Sequence, residues 1–216
     1  MFGLVAASLL TVVSICGLLL NALIVYLVYK KSSLHGPYGM LCVSMAITNS
    51  ASEILFATYC STRTLFDRSS LDLQNAFIGH LINACYYSGI LIHLLIAVNR
   101  YTAIMHPAKY TSIFTQYKTI AAIVFLNGVS FTSLLLFFID GCHMMYHART
   151  ALWIHKKNKC AQYSAYFIDV GATVVAILTA CLLDYISLYK MRKMNQVAKL
   201  SSSYMQSQAA KRKAKE

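Results

Sequence analysis

The sequence predicts an all-α, polytopic transmembrane helical bundle with five spans. Two observations carry this. Of 216 residues, 58% are hydrophobic and only 12% charged, with a mean hydropathy of +0.56, against about 25% charged in ordinary soluble domains. The charges also sit between long uncharged runs, and about 20 helical residues cross a bilayer core of about 30 Å. Disorder is excluded, because disordered chains are poor in apolar residues. Strand-like alternation of polarity is missing, so a membrane β-barrel does not fit.

The first span, about residues 2–29, has no Asp, Glu, Lys or Arg before Lys30 and Lys31. No positive charge precedes it and it is too long for a typical signal-peptide core, so it is expected to be an uncleaved anchor. The second, about 38–60, carries a single charge, Glu53. The third, about 73–104, is uncharged from Leu73 to Asn99, and the fourth, about 119–139, is uncharged throughout. The fifth, about 163–189, holds only Asp169 and Asp184. Residues 1–198 form one transmembrane domain, and 199–216, with Lys211, Arg212 and Lys213, a basic solvated tail or the start of a loop. Both prolines, Pro37 and Pro107, fall in short connections.

The net charge of +12 is spread unevenly. With the N-terminus outside, the inner segments hold thirteen of the 19 Lys and Arg and the outer loops six. This agrees with the positive-inside rule and places the C-terminus in the cytoplasm, at the plasma membrane if the chain folds and is exported. The tail's bland role is attraction to anionic lipid, at about 1 kcal/mol per basic residue near the surface. It offers no folded surface for nucleic acid.

Of seven cysteines, Cys60, Cys142 and Cys160 lie at or near the outer face, where disulfides persist. Three allow one bridge with one left over. Their shared loop favours Cys142 with Cys160, and sequence alone does not decide. Cys142, His143 and His147 lack an established ligand spacing, with only Asp140 as a nearby carboxylate, so no metal is expected. No cofactor is expected either.

The inner end of the third span reads Leu95-Ile96-Ala97-Val98-Asn99-Arg100-Tyr101-Thr102-Ala103-Ile104-Met105-His106-Pro107-Ala108-Lys109-Tyr110. Alone, Arg100 is an interfacial anchor. The whole run resembles the Asp-Arg-Tyr region of rhodopsin-like G-protein-coupled receptors, with Arg100, Tyr101, Ala103, Ile104, Pro107 and Tyr110 in register and Asn99 in place of the acid. Gly17-Leu18-Leu19-Leu20-Asn21 resembles that superfamily's first-helix asparagine motif, and Asn49 matches its polar second-helix position. Lys30-Lys31-Ser32-Ser33-Leu34-His35-Gly36-Pro37-Tyr38-Gly39-Met40-Leu41-Cys42 is similar to the first inner loop of nematode serpentine chemoreceptors of class x.

This resemblance covers helices one to five of a seven-helix receptor fold and implies that helices six and seven are missing. It implies a small external chemical ligand and a heterotrimeric G protein, contacted through Arg100, Tyr101, Pro107 and Tyr110. Asn21 and Asn49 are expected to face each other, with Glu53 as an intramembrane polar group. His80 and Asp169 are the candidate ligand-pocket groups, with Tyr86 and Tyr87 nearby. Asn75 stands where many such receptors place a disulfide cysteine. Asp184 is expected to pair with Lys190 or Arg192. Without a sixth helix the five-span chain is expected not to couple unaided, and to fold poorly or associate with another receptor chain.

No enzyme motif is visible. The rival class is a small multi-pass transporter or proton relay using Glu53, His80, His93, Asp169 and Asp184. Paired repeats and helices broken by Gly and Pro, usual in transporters, are not visible.

Overall fold

A computed structural model describes residues 2–66, 72–139, 141–155 and 158–213. Asp140, and Arg68, Lys156, Lys157 and Lys215 of the 19 Lys and Arg counted above, lie outside this set. Among the described residues five helices are long and apolar enough to cross a membrane: Gly3–Lys30, Pro37–Phe66, Leu73–Met105, Gln116–Phe138 and Lys159–Val197. They are called the first to fifth helices. Each falls on one of the charge-poor runs, because only a helix satisfies every backbone group within one segment in hydrocarbon.

The third helix is the centre of the bundle, packed by the second, fourth and fifth. Its sequence suits the position. Ala84, Ser88, Ile92 and Ala97 are fully buried, and small side chains let neighbouring membrane helices approach closely. Leu41, Ile92 and Ile96 form one apolar cluster with Tyr38, Met45 and Ile123 around it. Ser88 donates to Asn127 of the fourth helix at 2.5 Å. The apolar faces left exposed, such as Leu9, Leu20 and Phe125, suit lipid contact.

The helices are irregular at one end only. The second passes through a π segment, Phe56–Cys60, and the fifth through a longer one, Ser164–Ala172. The fourth tightens to a 3-10 helix over Thr132–Phe138. Between the fourth and fifth helices, where the sequence promises only a loop, stands an antiparallel hairpin of β1, Met144–His147, and β2, Leu152–His155. Its register pairs Met144 with His155 and Tyr146 with Trp153. His147 therefore ends a strand, with His143 just before it. At the far end the helix of the fifth span runs on to Lys213, so the segment left as a solvated tail is helical as far as it is described.

Candidate functional site

The hairpin lies across one end of the third helix and is fastened there from several sides. Asn75 makes two hydrogen bonds with the Tyr146 backbone, accepting from its N–H at 2.9 Å and donating to its carbonyl at 3.0 Å. A side-chain amide thus acts as a strand neighbour. The Tyr146 hydroxyl meets Thr64 of the second helix at 2.6 Å, and burial pushes that phenol above its ordinary pKa, keeping it protonated. Gly79 lets the hairpin lie flat on the helix: a Cβ there would stand 2.6 Å from the Met144 carbonyl oxygen and 2.7 Å from the Trp153 ring. Cys142 and Cys160 are joined by a disulfide, with Cα atoms 5.2 Å apart, and Cys60 is buried and free.

Asp169, on the π segment of the fifth helix, takes a fifth fastening. His155 Nε2 lies 2.8 Å from its Oδ2 and Asn83 donates to its Oδ1 at 3.3 Å. Burial draws the His155 imidazole below its ordinary pKa, so the neutral ring donating its Nε2–H fits the pair. His80 is buried, its ring 6.3 Å from those of Phe137 and His143. Among the described residues no three His, Cys, Asp or Glu gather as metal ligands.

Below the hairpin a trough of about 770 Å³ runs along the third helix between the second and fifth. Met144 and Trp153 roof it, and Asn49, Ser52, Glu53, Asn83 and His93 are among its polar lining. The two residues singled out for a pocket, His80 and Asp169, are not in this lining: both serve the packing of the hairpin. Tyr86 lines the trough, while Tyr87 lines a smaller cleft against the fourth helix. Asn83 and Trp153 were missed. Asn83 shares a face with His80 and Tyr87 at spacings of three and four residues, a signal the sequence did carry.

Asn21 and Asn49 do not face each other as expected. The antiparallel register sets Gly17 of the first helix against Glu53, whose Oε1 would lie 2.6 Å from a Cβ at Gly17. Asn21, one turn on, is buried and lines a groove shared with Ala46 and Ser50 of the second helix. Asn49, about 100° round the helix from Ser50, turns instead to Gly89 of the third helix.

At the opposite end, Arg100 donates through Nη2 to Asp184 Oδ2 of the fifth helix at 2.8 Å. This corrects the expected pairing of Asp184 with Lys190 or Arg192. Those residues lie six and eight positions along the same helix, not the three or four that bring side chains together. Asn99 is buried and leaves Arg100 to Asp184, bonding the Tyr110 hydroxyl at 3.3 Å instead. Pro107 opens a two-turn helix, Pro107–Ile113. Tyr110 folds back from it, stacked on Phe114 at 5.6 Å, and Tyr101 lies edge-on to His106.

A multi-pass helical membrane protein with an arginine–tyrosine helix end on one side and a disulfide-closed hairpin over a trough on the other has the build of a serpentine receptor. The chain belongs to the serpentine type 7TM G-protein-coupled chemoreceptor family Srx, whose model matches residues 11–216. It is 24% identical over 215 residues to serpentine receptor class X 45 of Caenorhabditis elegans, covering 98% of this chain and 59% of that one. It is 28% identical over 121 residues to melanopsin-A of Danio rerio, covering 54% of this chain and 20% of that one. The chain thus spans under two thirds of the relatives it matches.

Proposed function

We propose that the chain serves chemosensory reception: a small external chemical occupies the trough, and the signal leaves through the Arg100 end to a heterotrimeric G protein. The observation that carries this is the arrangement along the third helix. A lidded cavity stands at one end of it, and at the other an arginine held by one ion pair to a different helix. A ligand shifts a receptor only by binding two arrangements unequally. The trough touches the second, third and fifth helices, and the ion pair joins the third and fifth, so both sites bear on the same packing. Arg100, Tyr101, Pro107 and Tyr110 form the G-protein contact in this reading. The hairpin end faces outside, where its disulfide persists, and the basic helix beyond Tyr189 lies in the cytoplasm, at the plasma membrane.

Since the five-span chain is expected not to couple unaided, cells expressing it extended by the sixth and seventh helices of a family member, with a G protein, test this by surface labelling and nucleotide exchange. Arg100→Ala is expected to abolish exchange with surface expression nearly intact. Equal loss of both would make Arg100 a membrane anchor. A tag after Glu216 is expected to be labelled only after permeabilisation, and labelling of intact cells would reverse the orientation.

A further inference from the structure

We infer that the trough binds an organic cation, a small aromatic or aliphatic amine, with Glu53 as its charge partner. The inference rests on the trough being the ligand site and goes on to its chemistry. Among the described side chains, two carboxylates lie at or beside the trough, Glu53 and Asp169. Asp169 is already engaged, by His155 at 2.8 Å and Asn83 at 3.3 Å. Glu53 is half-buried and lines the trough, and no hydrogen bond or ion pair reaches it from the described residues. Its side chain lies against Gly17, where a bare backbone position offers neither a cation nor a donor side chain. An ionised carboxylate in a membrane span is costly without a partner.

The walls around it fit the same ligand. Phe56, Tyr86 and Trp153 bring three aromatic rings to the trough, and among the described residues no Lys or Arg lines it. Aromatic faces attract cations, tryptophan most of all. An acid among rings and apolar side chains selects for a positive charge carried on an apolar body. An anion would meet Glu53, with His93 the one lining side chain among the described residues able to carry a positive charge. A neutral ligand would fill the space and leave the carboxylate as it is.

The roof supplies the readout. Trp153 is the one tryptophan of the sequence, so the intrinsic emission of the chain in lipid bilayers reports on the trough. The probes are phenethylamine, phenylethanol and phenylpropionate, which share a ring and differ in charge. Phenethylamine is expected to change the emission saturably, and phenylethanol to bind about tenfold more weakly, as loss of a close charge pair dictates. Glu53→Gln is expected to remove that preference and Glu53→Asp to retain it. Should Glu53→Gln fail to fold, Gly17→Ala serves, because its Cβ displaces the carboxylate and is expected to weaken phenethylamine alone. Equal binding of the three probes, or a preference unchanged in Glu53→Gln, would overturn the cation assignment while leaving the trough a ligand site. No saturable change with any probe would count against both.

Discussion

At the hairpin end, a disulfide, a two-bond amide clamp, a tyrosine–threonine bond and a glycine contact converge on the segment Cys142–Cys160. At the arginine end, one ion pair joins the third and fifth helices, and its side chains are 40% and 30% exposed. The helices differ in the same sense. Near the hairpin three of them leave α geometry, whereas the second, third and fifth approach the arginine end as regular α-helix. Single π turns recur at functional sites because they re-aim side chains, and here one places Asp169 against the hairpin. The contrast separates two tasks. One end is fixed so that a cavity keeps its shape, and the other is held by a contact that can be broken.

If so, removing fastenings at the hairpin end should cost stability in proportion to their strength. The largest effect is expected for Cys142→Ser with Cys160→Ser. The bridge closes a loop with a sequence separation of 18, and a loop of that size is worth about 3 kcal/mol of chain entropy. Thermal unfolding should fall accordingly, and amide exchange in Met144–His155 should quicken before that of the helices. Uniform loss of protection across the bundle would show that the disulfide supports the whole fold rather than the lid.

Asn75→Ala comes next. It deletes both bonds to Tyr146 and leaves a buried backbone N–H and carbonyl unpaired, at about 2 kcal/mol. The Trp153 emission should move towards that of a solvated indole, since Trp153 lies against Tyr146 with ring centroids 5.2 Å apart. Unchanged emission with lowered stability would mean that the hairpin stays docked through Thr64 and the disulfide alone.

The same contrast explains what was legible in the sequence. The five spans follow from long runs with few or no charges, bounded by residues such as Lys30 and Lys31, because a charge in hydrocarbon is costly. The arginine motif was legible because its residues are adjacent in the chain. The hairpin was not: each strand is four residues long, and its partners Asn75 and Gly79 lie some 65–80 positions away on another helix. The π segments carry no sequence signal, since their cause is tertiary. Asp184 was legible as an acid near the inner end of the fifth span needing a cation, and its partner was mistaken because nearness in sequence was taken for nearness on a helix face. The trough was half legible: Glu53 was marked as a polar group in the span, but that Asp169 would be engaged and Glu53 left open depends on how the hairpin docks.

The smallest effect on stability, and the sharpest test of the contrast, belongs to Asp184→Asn. The pair is partly exposed, so its contribution to folding is below about 1 kcal/mol, and the unfolding temperature should hardly move. Its effect on the balance of arrangements is another matter. A device that biases two states by even about 1 kcal/mol changes their ratio about fivefold, and Asn99 gives Arg100 no carboxylate of its own to fall back on. Freed from the fifth helix, Arg100 should be available at the membrane face without ligand, so basal nucleotide exchange in cells expressing the variant extended by a family member's sixth and seventh helices is expected to rise severalfold. Moving the acid to the neighbouring position, Asn99→Asp with Asp184→Asn, should bring it down again by restoring a local carboxylate. Basal exchange unchanged in Asp184→Asn, with stability reduced by several kcal/mol, would place the ion pair among the fastenings and erase the difference between the two ends.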